Sequence, residues 1–167
     1  VKLALAFVII LSTGCFGPSL AIDPKWKPLT TITEQGTVPR GAITTILETG
    51  YVHDLAQWQL DYPVGPTRDA LLHHESLHSS RQLATVGGPE IWLGKYLIDA
   101  SFRWSEESKG WALELTDLVH AGVTVDTVSV ATILSGDLYT LSGSKMVDYA
   151  TAKAWADGVV QIAQNTH

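Results

Sequence analysis

Apolar and polar positions change period along this chain, from short alternating runs in its first third to helical spacing after it. Leu29–Val38 (LTTITEQGTV) and Ala42–Leu55 (AITTILETGYVHDL) are rich in Thr, Ile and Val and are separated by Pro39-Arg40-Gly41. They predict two or more strands. Gln57–Gly65, with Pro63 and Pro66 close by, predicts an irregular connection. Asp69–Arg81 does not fit an alternation of two; Leu71, Leu72, Glu75, Leu77 and Leu83 follow a mixed helical pattern instead. Thr67 or Asp69 is its expected N-cap and Gly87-Gly88 its stop, and Leu71 and Leu72 are placed to pack it on a sheet. Glu90–Phe102 carries Leu93, Tyr96, Leu97 and Ala100 at helical spacing, and Ser105–His120 carries Trp111, Leu113, Leu115 and Leu118. Val125-Asp126-Thr127 caps a shorter helix to Leu134, Ser135–Met146 is irregular, and Asp148 caps a last helix through about Gln161. Strands precede helices, which predicts an α+β fold: a small N-terminal β-sheet packed on a mostly helical C-terminal part.

Length and composition narrow this picture. A chain of 167 residues with 46% hydrophobic content suits one compact domain. The net charge of −6 and the lack of any Lys/Arg cluster argue against a nucleic-acid footprint. The acidic residues form no run and read as a solubilising surface. Residues 1–22 differ in kind: Lys2 precedes the apolar Leu3–Leu11, and the small residues Ser12-Thr13-Gly14-Cys15 follow. This predicts an export signal, too short in its apolar part for a transmembrane span. Ser19-Leu20-Ala21 resembles a peptidase cleavage site that would release a soluble periplasmic or extracellular protein. Thr13-Gly14-Cys15 resembles a lipobox that would anchor the chain through Cys15, and a buried N-terminal strand is the structural alternative. Cys15 is the single cysteine, which excludes an internal disulfide and any cysteine-based zinc site.

The residues that specify chemistry are His74-Glu75-Ser76-Leu77-His78, an HExxH pentapeptide. On a helix, positions i and i+4 share a face, so His74 and His78 can offer ring nitrogens to one metal ion. Glu75 stands beside the first ligand, close enough to act as general base without being a ligand itself. A third protein ligand must come from elsewhere, and the downstream candidates are Glu90, Glu106, Glu107 and Glu114. Glu90 lies too close to the Gly87-Gly88 stop. For Glu106 and Glu107 the plain alternative is stabilisation of a helix's first turn by acidic side chains.

LLHHESLHSSRQ, followed by WLGKYLIDASFRWSEESKGWALEL, resembles short phage- and bacteria-associated HExxH metallopeptidase-like proteins of minimal gluzincin type. Their pattern is L-x-H-E-x-x-H-x-x-Q/R-Q, then W-x-x-x-Y-L-x-x-x-x-F-R, then E-x-E-A-Y. The resemblance covers about Leu71 to Leu115, with a weaker echo over Leu134–Asp157. It implies a zincin-like fold over residues 23–167, with one zinc ion held by His74, His78 and the first Glu of E-x-E-A-Y. In this chain that Glu is Glu107, with Lys109, Gly110 and Trp111 standing where the family has E-A-Y. The departures at Lys109 and Gly110 leave Glu106 as the next candidate and Glu114 as a further one.

These residues predict metal-assisted hydrolysis of a peptide bond in a peptide or protein substrate, with Glu75 as general base to a metal-activated water. The strand region Ala42–Leu55 is the expected edge for an extended substrate, and Tyr96, His120 and Tyr139 are the candidate oxyanion donors. The rival expectation is a non-catalytic metal-binding domain of phage or envelope origin, in which the same ligands serve structure or interaction alone.

Overall fold

A computed structural model describes residues 17–166, and the chain divides between Trp92 and Leu93 into two compact units. Among the described residues the fold is α+β, with four strands and six α-helices. The export reading of residues 1–16, Cys15 included, lies outside the described residues. Ser19–Ala21, read above as a cleavage site, forms the first strand, β1.

The first unit is built on a sheet. β1 pairs antiparallel with β2 (Thr31–Glu34), and β2 pairs parallel with β4 (Thr49–Val52). β4 pairs antiparallel with β3 (Ile43–Ile46), giving the order β1-β2-β4-β3 with β3 at an edge. The Ala42–Leu55 run therefore splits into a hairpin, turning at Leu47 with φ 53°, a strained value for a branched residue. Gly50 leaves room for its neighbours on β4: a Cβ there would come within 2.7 Å of Ile32 Cδ1, so the isoleucine tip would have to shift.

Two helices follow, α1 (Leu55–Asp61) and α2 (Pro66–Leu83). α1 corrects the irregular reading of Gln57–Gly65. The Asp54 side chain accepts from Gln57 N at 2.9 Å, and the i, i+3 pair Leu55 and Trp58 is buried. α2 begins at Pro66 after Gly65, so neither Thr67 nor Asp69 is its N-cap; proline at the first position supplies the start. Leu71 and Leu72 join Leu29, Ile32, Val52, Leu55 and Trp58 in one buried cluster, which fixes α2 against the sheet. Truncating such a leucine to alanine costs about 2–5 kcal/mol.

α3 (Pro89–Ile98) spans the division between the units, and the second unit is helical: α4 (Ala100–His120), α5 (Thr127–Leu134) and α6 (Tyr149–Asn165). The expected single helix Glu90–Phe102 is broken at Asp99, whose carboxylate accepts from Ser101 N and Phe102 N and starts α4. Asp126 and Asp148 cap α5 and α6 in the expected places. The core of this unit is Leu115, Val130, Ala131, Leu134, Met146, Ala152 and Ala156, with Trp104 and Trp155 in edge contact at its side.

Candidate metal centre

The pentapeptide lies in the middle of α2, two turns after Pro66. One helix face carries Leu71, His74, Glu75, His78, Ser79 and Gln82, all buried. Leu71 belongs to the apolar cluster, so the packing that holds the helix also sets the direction of the polar groups beside it. Lys25 bridges Asp69 at 3.0 Å near the start of the helix. Both groups are about half exposed there, and such a pair adds little to stability.

His74 and His78 bring their Nε2 atoms to 3.0 Å, with ring centroids 4.8 Å apart. Two imidazole nitrogens sharing one tetrahedral metal at about 2.0–2.1 Å stand about 3.3 Å apart. The pair thus fits two ligands of a common ion with a shift of a few tenths of an ångström. The edge of Trp92 meets the His78 ring at 5.7 Å between centroids.

Glu75 points its carboxylate to strand β3. The Thr45 hydroxyl donates to Oε2 at 2.6 Å, with both residues buried. Seven residues further along α2, Gln82 reaches the same strand: its Nε2 donates to Thr45 O at 2.8 Å and its Oε1 accepts from Leu47 N at 2.8 Å. The Gln82 side chain thereby occupies ladder positions on the outer edge of β3 and holds the strained Leu47 turn.

The acidic candidates of the second unit lie on α4. Glu107 is 3% exposed and accepts a short hydrogen bond from the Tyr96 hydroxyl. Glu106 is buried beside Lys109 Nζ at 3.3 Å, and Glu114 is buried a turn or two further along. Arg103, fully buried, donates to the carbonyl oxygens of Tyr96, Tyr139 and Ser144. Burial pulls its pKa below the usual arginine value, while Tyr96, Glu107 and Asp99 oppose that pull. These three carbonyl bonds tie the end of α3 and the loop before α6 to α4, the helix that bears Glu107.

His74, His78 and Glu107, all buried, each offer one ligand atom, and these atoms lie within 4.8 Å of one another. The group takes in neither Glu106 nor Glu114. Glu90 is exposed. Of the oxyanion candidates, Tyr96 is engaged with Glu107, the Tyr139 hydroxyl accepts from Trp111 Nε1 at 3.1 Å, and His120 Nε2 lies 3.3 Å from Ala163 O. Those contacts tie Tyr139 and His120 to the packing of the second unit.

Sequence reasoning passed over Thr45, Gln82 and Arg103. Gln82 carried a usable signal, because a spacing of seven from Glu75 returns to the same helix face. Thr45 carried none, being one of several Thr in a Thr-rich run. No protein-family model, no curated protein and no solved structure matches this chain.

Proposed function

We propose that this chain is a zinc-dependent peptidase with a zincin-like, gluzincin-type site. The observation that carries the reading is the gathering of His74, His78 and Glu107 donor atoms within 4.8 Å, with Glu75 next to the first ligand in the chain. Two imidazoles and a carboxylate are a donor set suited to zinc, whereas calcium or magnesium would call for oxygen ligands throughout.

When bound, zinc supplies a more acidic water and polarises the substrate carbonyl. The protein's own groups do the rest. His74, His78 and Glu107 would hold the ion as its three protein ligands. Glu75 accepts the proton of the attacking water and passes it to the leaving amine. The Tyr96 hydroxyl keeps the Glu107 carboxylate in one orientation, as the outer partner of a ligating carboxylate does. An extended substrate pairs with the outer edge of β3 at its Ile43 end, because Gln82 holds Thr45 O and Leu47 N. The apolar segment after Lys2 makes this an exported protein, soluble or anchored through Cys15. No helix among the described residues is long and apolar enough to cross a membrane.

One observation favours the rival reading, a metal-binding domain without catalysis. His74, Glu75 and His78 are each no more than 5% exposed, as befits a closed structural site. Incubation of the zinc-loaded protein with casein and a random peptide library separates the two. Cleavage that chelation stops and added zinc restores supports the peptidase. Stoichiometric zinc with every peptide left intact supports the binding domain.

A further inference from the structure

We propose that Thr45 is a positioning residue for Glu75, and that strand β3 is a built part of the catalytic apparatus as well as an edge; this rests on the peptidase reading above. A general base must present one oxygen in a fixed direction, since a misplacement of about 1 Å can cost about 100-fold in rate. A Glu side chain has three rotatable bonds and does not hold that direction by itself. In this chain the Thr45 hydroxyl donates to Oε2 at 2.6 Å, which restricts the swing of the carboxylate. Thr45 is β-branched, so its hydroxyl is set by a stiff χ1 on a regular strand.

The strand is fixed in turn. Gln82, completely buried, donates from Nε2 to the Thr45 carbonyl oxygen and accepts at Oε1 from the Leu47 backbone N–H. Glu75 and Gln82 are two helical turns apart on one face of α2, so the same face touches β3 at two points. A hydrogen bond needed only for folding could sit anywhere along this contact. The one at Thr45 instead ends on the carboxylate next to the first metal ligand.

The test is steady-state cleavage of a fluorogenic peptide, chosen from the library by the wild-type protein, with zinc content measured in parallel. Thr45→Val replaces the hydroxyl by a methyl of similar size. It is expected to keep one zinc and KM within about 2-fold while kcat falls about 10- to 100-fold. Thr45→Ser, which keeps the hydroxyl, is expected to recover kcat to within about 3-fold of wild type. Thr45→Ala is expected to behave like Thr45→Val and serves where the valine variant does not fold. A Val or Ala variant with wild-type kcat overturns the role of Thr45 and leaves the peptidase reading standing. So does a Ser variant as impaired as Val. A zinc-loaded wild-type protein that cleaves no peptide overturns the peptidase reading, and the role of Thr45 with it.

Discussion

His74 and His78 stand with their Nε2 atoms 3.0 Å apart on the buried face of one helix. Neither ring gains from that approach unless a proton or a cation lies between the two nitrogens. Of the two occupants, a metal ion also accounts for Glu107 as a third donor. His78→Ala is expected to lower zinc affinity by at least about 100-fold, beyond the loss usual for an outer partner of a ligand. Competition against a chromophoric chelator measures it.

Glu75 is not a metal ligand in this account, and its two functions separate. Glu75→Gln keeps the shape and can still accept from Thr45 through its amide oxygen, but it cannot take a proton. Zinc content is expected to stay at the wild-type level while kcat falls by about 100-fold or more. Initial rates on the fluorogenic peptide, normalised to bound zinc, check this; a rate within a few-fold of wild type would remove Glu75 from the chemistry.

Gln82 bonds the Thr45 carbonyl oxygen of β3 and the backbone N–H of Leu47 just past it. Gln82→Ala leaves the buried Thr45 carbonyl and the Leu47 amide without those partners. A loss of about 1–3 kcal/mol in unfolding free energy is expected, the usual penalty for unsatisfied buried polar groups. Urea denaturation of the metal-free protein reads it directly. Gln82→Glu should be less costly than Ala only where the carboxylate keeps the Leu47 bond.

Asp126 and Asp148 cap α5 and α6, and both hold their carboxyl groups below the usual value of 3.8. For Asp126 the main cause is the Ser129 hydroxyl, and for Asp148 the backbone amide of Thr151. A depressed folded pKa means that the unfolded chain binds protons first as pH falls. The stabilisation is therefore present above about pH 4 and disappears as pH drops through the lower folded values. Thermal melts between pH 6 and pH 3 should show the decline, and the double variant Asp126→Asn, Asp148→Asn should show a shallower one. An unchanged slope in that variant would remove the caps from the acid response.

Much of the fold followed from local rules, and the exceptions have physical causes. The strands in Leu29–Val38 and Ala42–Leu55, the helix around His74 and the caps at Asp126 and Asp148 are set by composition and capping within a few residues. α1 was hidden because Pro63 and Pro66 signal a break, while the burial of Leu55 and Trp58 that sustains it is tertiary. The helix break at Asp99 was hidden for the opposite reason. Leu93, Tyr96, Leu97 and Ala100 keep helical spacing across Asp99, and only the Asp99 cap geometry interrupts it. At the site, HExxH names its own residues through spacing. Thr45 and Gln82 meet Glu75 and β3 across separations of 30 and 37 residues, and no periodicity in the chain encodes such a pairing.

The central claim is that two imidazoles and the Glu107 carboxylate hold one ion. Calorimetric titration of the metal-free wild-type protein and of Glu107→Gln with zinc tests it most directly. The account predicts one site per chain in the wild type, and an affinity at least about 100-fold weaker in the variant. Equal affinity in the two proteins, or no saturable zinc binding by the wild type, would contradict it.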